Sequence, residues 1–295
     1  MASLKELRAR IGSIKSTKKI TSAMKMVAAA KLRRAQARAE SARPYASAMR
    51  RMMAELAGAT VGEEGGPLLL TGTGKDKIHL LVPLTSDRGL CGGFNASVHR
   101  LTERLIRRLQ SEGKTVKLLP VGRRAISYFS REYSDLIVDK IMGIPGDVPF
   151  SVAEGLGVKI NALLEAGEID VCELVFNKFI NAMSQVPQKQ QLVPLVVEDA
   201  AETSAVADEN KALYDFEPDE ETLLFRLLPK NLQVQLYAAL LETAAGENGA
   251  RMTAMDNATR NAGRSIDSLS QVYNRTRQAN ITNELIEIIS GAQAV

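Results

Sequence analysis

The chain has 295 residues, enough for one large domain or two small ones with a proper core. Tryptophan is absent and aromatics make up 4% of the chain, so long helices are favoured over an aromatic-dense core. Two cysteines, Cys91 and Cys172, exclude a disulfide framework, and no Cys/His spacing suits a metal. No apolar run approaches a membrane span and the amino terminus lacks a signal core, which predicts a soluble protein of a reducing compartment that reaches a membrane only through partners. The net charge is +4, but residues 1–56 hold fourteen basic against three acidic side chains, a net +11 that leaves −7 for the remainder.

The first segment predicts one helix over 3–56. Apolar or small residues recur at three- and four-residue steps: Leu4, Leu7, Ile11, Ile14, Thr17, Thr21, Met24, Ala28, Leu32, Ala35, Ala39, Ala42, Ala46, Met49, Met53 and Leu56. That is a coiled-coil seam whose small residues allow a partner helix to approach closely. Pro44 removes one backbone donor and is expected to kink the helix near Glu40. The basic face suits either solvent or an acidic protein surface.

A glycine-rich connection over 57–77 follows, and then the period changes. Strands are predicted over 78–84, 116–121 and 136–142, alternating with helices over 95–112, 123–131 and 151–166. The segments 171–181 and 188–197 suggest an edge hairpin. This alternation predicts a compact α/β domain with a largely parallel sheet, inserted between two long helices. Residues 198–221 are acidic and poor in apolar side chains, and Phe216-Glu217-Pro218-Asp219 suits a helix start. The last helix carries a second seam, Leu232, Leu236, Leu240 and Thr243, then Ala258, Ala262, Ile266, Leu269, Tyr273 and Thr276. Joined through the inserted domain, the two long helices are expected to pair antiparallel. Near the end, Leu285, Ile286, Ile288 and Ile289 lie on nearly all sides of the helix, so another protein must bury them.

The expected fold is α/β plus long helices: an antiparallel coiled coil of the amino- and carboxy-terminal helices with an inserted Rossmann-like α/β domain. Its parts are a helix at 1–57, an α/β domain at 77–197, an acidic loop at 198–217 and a helix at 218–295.

Chemistry-bearing motifs are sparse. The turn Gly89-Leu90-Cys91-Gly92-Gly93 follows a strand, but its spacing is neither Gly-x-Gly-x-x-Gly nor a P-loop. A tight strand-to-helix turn needs glycine for backbone reasons alone. Cys91 lies just ahead of a helix start, which can lower a thiol pKa, yet a structural thiol is the simpler reading. His79 and His99 are the only histidines, on a strand and a helix, with no Ser or Cys arrangement to make a relay. The amino-terminal basic helix could contact nucleic acid, but its partner over 231–295 has five basic and six acidic residues and no aromatic interleaving. The alternatives to an interaction subunit are thus an α/β nucleotide-binding enzyme with helical arms and a basic coiled-coil nucleic-acid binder.

Three stretches are specific. The run from Ile14-Lys15-Ser16-Thr17-Lys18-Lys19 to Ala30-Lys31-Leu32, the turn Ser86-Asp87-Arg88-Gly89-Leu90-Cys91-Gly92-Gly93-Phe94-Asn95, and the pattern Ile281-Thr282-x-Glu284-x-x-Glu287-x-x-x-Gly291-Ala292 together resemble the γ subunit of F-type ATP synthase. The resemblance spans the whole chain. It implies a non-catalytic rotor shaft whose coiled coil enters the hexamer of α and β subunits, with the α/β domain meeting the ε subunit and the ring of membrane c subunits. It implies no cofactor, no metal and no nucleic acid, with membrane association only through the c-ring. Residue by residue, Met24 with Lys25, Arg251, Arg277 and Gln278 fall where the family contacts its β subunits, and Leu285, Ile286, Ile288 and Ile289 where its tip turns in the hexamer bearing. The chloroplast form's inserted pair of redox cysteines has no counterpart, because Cys91 and Cys172 are isolated. The start at Met1 without a presequence fits a bacterial protein on the cytoplasmic face of the inner membrane.

Overall fold

The structure is a computed structural model that describes residues 3–60, 67–195 and 220–293. Two helices dominate it: α1 (Leu4–Thr60) and α6 (Glu220–Gln293). No described helix is long and apolar enough to cross a membrane. The expected acidic loop at 198–217 and the helix start at Phe216-Glu217-Pro218-Asp219 lie outside the described residues. The chain divides into two compact units, one of residues 1–30 and 251–295, the other of residues 31–250.

The larger unit is built on a mixed sheet of β1 (Ile78–Pro83), β2 (Thr115–Leu118), β3 (Val171–Phe179) and β4 (Gln185–Val193), in the spatial order β2-β1-β3-β4. Strand β1 pairs parallel with β2 and β3, and β3 turns back antiparallel onto β4. The hairpin expected from 171–181 and 188–197 is therefore present, with β4 starting earlier, at Gln185. Alternation along β1 explains the layers. Leu81 points with Val116, Leu118 and Val175 toward α3 (Phe94–Ser111) and α4 (Arg123–Glu132). Leu80 and Val82 point the other way, into the core shared with α5 (Phe150–Glu165) and α6. The short α2 (Leu68–Thr71) also contributes Leu69 to that core.

Residues 220–250 of α6 form the spine of this unit. Leu224, Leu228, Leu232, Leu236, Leu240 and Ala244 recur every fourth residue, all buried, which sets a helical face against the sheet. Two glycines let the helix come close: a Cβ at Gly246 would lie 2.9 Å from the Phe94 ring, and one at Gly249 3.2 Å from the Ala182 Cα. Met49 and Met53 of α1 complete the same core. Pro44 does not end α1, nor Pro229 α6.

One expected element is corrected. Residues 136–142 form no strand in the sheet; they carry a 3-10 turn (Ser134–Leu136) and two isolated parallel bridges, Ile137 to Leu118 and Ile141 to Val121. Between those bridges stands Pro120, which has no N–H to donate toward 137–141, so the two segments meet there through its carbonyl, which accepts from the Ile141 N–H at 3.1 Å, and no continuous ladder forms.

The entry to β1 is fixed by Asp170, a buried carboxylate. It accepts from the Thr73 hydroxyl at 2.5 Å and from the backbone N–H groups of Ile78 and Lys77 at 2.9 and 3.0 Å. Burial pushes its pKa up, but these bonds outweigh it and hold the group below the usual aspartate value.

Candidate functional site

In the smaller unit the two helices run antiparallel, and named pairs give the register. Lys25 donates to Asp256 at 2.6 Å, the hydroxyls of Thr21 and Thr259 meet at 2.7 Å, a Cβ on Gly263 would lie 3.4 Å from the Lys18 Nζ, and Arg8 donates to the Tyr273 hydroxyl at 3.0 Å. Each step back along α1 is matched, to within one residue, by a step forward along α6, as the two seams anticipated. The apolar part of the seam is thin. Its buried side chains are Leu7, Ala28, Met255 and Ala262, with Thr21 among them; Leu4, Ile11, Ile14 and Met24 are half-buried. Thr17, expected in the seam, is exposed and bonds back to the Ser13 carbonyl. A single partner helix covers only one side of a helix, so the rest of each surface faces outward.

Asp256 is held by two cations, Lys25 across the pair and Arg260 one turn along its own helix at 2.9 Å. The hydrogen bond from Lys25 pulls its pKa below the ordinary value, with the charge of Arg260 helping. Lys25, which the resemblance led us to expect at a β-subunit contact, has an intramolecular partner, a link that sequence reasoning missed; Lys25 and Asp256 face each other only once the antiparallel register is known. Of the other expected contact residues, Arg277 and Gln278 are exposed, while Met24 and Arg251 are half-buried.

The last described turns carry the largest apolar exposure. Leu285, Ile286, Ile288 and Ile289 are each between 53% and 67% exposed, and Ile281 precedes them at 48%. Four large aliphatic side chains within five residues cannot share one face at 100° per residue. Thr282 bonds to the Gln278 carbonyl, and Glu284 and Glu287 are exposed beside the aliphatic residues. Gly291 and Ala292 continue the helix.

The turn from Ser86 to Asn95 closes on itself. The Ser86 N–H donates to the Asn95 carboxamide oxygen at 3.0 Å, the Asn95 amide reaches the Cys91 sulfur at 3.2 Å, and Asp87 accepts from the Arg123 N–H at the start of α4 at 2.8 Å. Leu90 sits at φ +63°, exposed, while Cys91 is buried. Cys172 is buried too, and burial raises its thiol pKa far above the ordinary value. His79 bonds to Asp76, which also holds Lys114. His99 stacks on Tyr128 at 4.2 Å, and burial pushes its pKa down to about 4. A cleft of about 500 Å³ beside His79 is lined by paired charges, among them Asp76 with Lys114 and Glu173 with Lys189. Among the described residues no three His, Cys, Asp or Glu side chains converge on a metal-sized site.

Fold and surface together define a helical-shaft interaction protein, an α/β body with two paired helices whose free faces and apolar tip call for a surrounding partner. A family model described as ATP synthase matches residues 3–295. The chain is 67% identical over 296 residues to the ATP synthase gamma chain of Gluconacetobacter diazotrophicus and 62% identical over 298 residues to that of Gluconobacter oxydans, covering the full length of both partners in each case. It belongs to the ATP synthase γ-chain family. Among solved structures it is similar to a chain of the Tetrahymena thermophila mitochondrial ATP synthase central stalk and c-ring, with TM-score 0.60 and 31% identity over 81% of this chain and 99% of that one. The rotor of the Euglena gracilis mitochondrial enzyme shares the fold at TM-score 0.63 and 21% identity, over 94% of this chain and 98% of that one.

Proposed function

We propose that this chain is the central-stalk rotor of a bacterial F-type ATP synthase, transmitting torque between a proton-driven c-ring and the catalytic hexamer of α and β subunits, without catalysing a reaction itself. The observation that carries this reading is the terminal stretch of α6, where aliphatic side chains stand exposed around a helix that only an enclosing sleeve could cover. In this reading the antiparallel pair is the shaft and Leu285, Ile286, Ile288 and Ile289 turn in the bearing, where unspecific apolar contact allows sliding. Met24, Lys25, Arg251, Arg277 and Gln278 meet the β subunits. Exposed basic residues of α1, such as Lys15 and Lys19, suit acidic loops, since charge attraction is long-ranged and non-directional and does not interlock as packed apolar surfaces do. The α/β domain meets the ε subunit and the c-ring, which ties the chain peripherally to the cytoplasmic face of the inner membrane.

Rotation then converts ion flow into chemistry held elsewhere. The asymmetric shaft presents a different face to each β subunit in turn and so biases its site among binding, synthesis and release, a differential contact of the kind that any ligand-driven population shift requires. Reconstitution tests this. Purified chain mixed with α and β subunits is expected to form one stable complex containing a single copy of it and to raise Mg-ATP turnover. Failure to join the hexamer, with turnover unchanged, would overturn the reading.

A further inference from the structure

The thin seam of the shaft raises a physical problem. With only Leu7, Ala28, Met255 and Ala262 buried along its apolar seam, the pair has few large knobs to seat in holes, so apolar contact alone discriminates weakly between registers one turn apart. A shaft that slips axially under load loses torque. Between Leu7 and Ala28 of α1, the one buried side chain is that of Thr21, and its hydroxyl meets that of Thr259.

We propose that Thr21, Thr259 and Asp256 are positioning residues that fix the axial register of the two shaft helices, an inference that rests on the rotor reading and deepens it. The hydrogen-bond inventory is closed in the observed register. The Thr21 hydroxyl also lies 3.2 Å from the Lys18 carbonyl, and that of Thr259 2.8 Å from the Met255 carbonyl. Of the two hydroxyl hydrogens, one bridges the helices and the other returns to its own helix, so neither oxygen is stranded. The carboxylate of Asp256 divides its two oxygens between Lys25 and Arg260.

A slip of one turn breaks both links in either direction. Moving α6 one way sets Met255 against Thr21 and Met252 against Lys25, so the hydroxyls keep only the carbonyls of their own helices, Asp256 keeps only Arg260, and both cross-helix bonds are lost. Moving it the other way sets Gly263 against Thr21 and brings Arg260, a like charge, against Lys25. Polar groups at a seam cost stability relative to apolar ones but discriminate between registers, which is the best attested use of such groups. The pair sits where Met24 and Lys25 face the proposed β contact, so register there also sets which side chains each β subunit meets.

The experiment uses the assembled complex in vesicles, carrying spin labels at Ser16→Cys and Ala279→Cys, both exposed and axially offset so that a one-turn slip changes their separation by roughly 5 Å. The native thiols at Cys91 and Cys172 are buried and stay unlabelled. The variants are Thr21→Val with Thr259→Val, which keep shape and remove both hydroxyls, and Asp256→Asn as the milder change. The expected result is normal assembly, a second distance population in the valine pair, and ATP-driven proton pumping per ATP lowered two- to fivefold. Thr21→Ser with Thr259→Ser restores one distance and normal coupling, and Asp256→Asn gives a smaller share of the second population. One unshifted distance with unchanged coupling in both variants overturns the register role while the rotor reading stands. If the unsubstituted chain itself fails to assemble or couple, it is the rotor reading that falls.

Discussion

His99 and Asp170 show how a buried titratable group earns opposite signs. For His99 the folded pKa of about 4 lies below the usual 6.5, because burial beside Tyr128 and Phe129 disfavours the cation. The unfolded chain therefore binds a proton that the folded one refuses between those two values. His99 costs nothing above about pH 6.5 and destabilises progressively as pH falls toward 4, by up to about 3 kcal/mol. Chemical denaturation of the chain at pH 7.5 and pH 5 is expected to show about 2 kcal/mol of that loss, and His99→Phe to abolish most of it. Asp170 works the other way. Its folded pKa is depressed, so its contribution is complete above the usual aspartate value and is lost only as pH falls through the lowered one. Asp170→Asn is expected to destabilise at pH 7 because a neutral amide oxygen accepts the Ile78 and Lys77 N–H groups more weakly, and to leave the pH 5 to 7.5 slope untouched.

At the scale of elements, close approach decides what α6 tolerates. Gly246→Ala would press a methyl group to 2.9 Å of the Phe94 ring and Gly249→Ala to 3.2 Å of the Ala182 backbone, and backbone yields less readily than a side chain. Each is expected to cost about 1–3 kcal/mol in denaturation midpoint, although alanine is the better helix former. Gly122 is harsher still: at φ +94°, a Cβ there would collide with the Thr85 carbonyl oxygen. These glycines were invisible to periodicity, which records where apolar side chains recur and not where side chains must be missing. The long helices, the parallel sheet and the hairpin were legible because their signals are local: fourfold spacing of leucines, period two in strands, glycine at turns. The segment 136–142 was misread because its composition suits a strand while Pro120, on the facing strand, removes the donor that would extend the ladder. The Lys25–Asp256 and Thr21–Thr259 links were out of reach for another reason. They depend on the register between residues more than two hundred positions apart, which neither seam specifies alone.

The whole molecule combines an inert, well-packed body with a surface left unfinished along the shaft. In the body, leucines of α6 vanish into the core; over 281–290 of the same helix, every residue is exposed. A helix that changes from one deeply buried face to exposure on every side is built for two environments, one supplied by its own chain and one by a partner. Contacts along the outer part therefore belong to function more than to folding, and substitutions there should separate the two. Arg277→Ala with Gln278→Ala removes two exposed polar side chains that hold nothing together within the described residues of the shaft pair, so the melting temperature of the isolated chain is expected to move by less than about 2 °C, as for other surface changes. Assembly into the hexamer should persist, because the apolar tip and the rest of the shaft remain. Coupled ATP synthesis in energised vesicles is expected to fall several-fold, with assembled enzyme per vesicle measured alongside. A loss of assembly in proportion to synthesis would make these residues anchors of the complex; normal synthesis would remove them from the contact with the β subunits. At Met24, the change Met24→Lys adds a cation to an already basic face and should likewise lower the ATP made per unit of ion flow while leaving the chain folded, since its side chain is only half-buried.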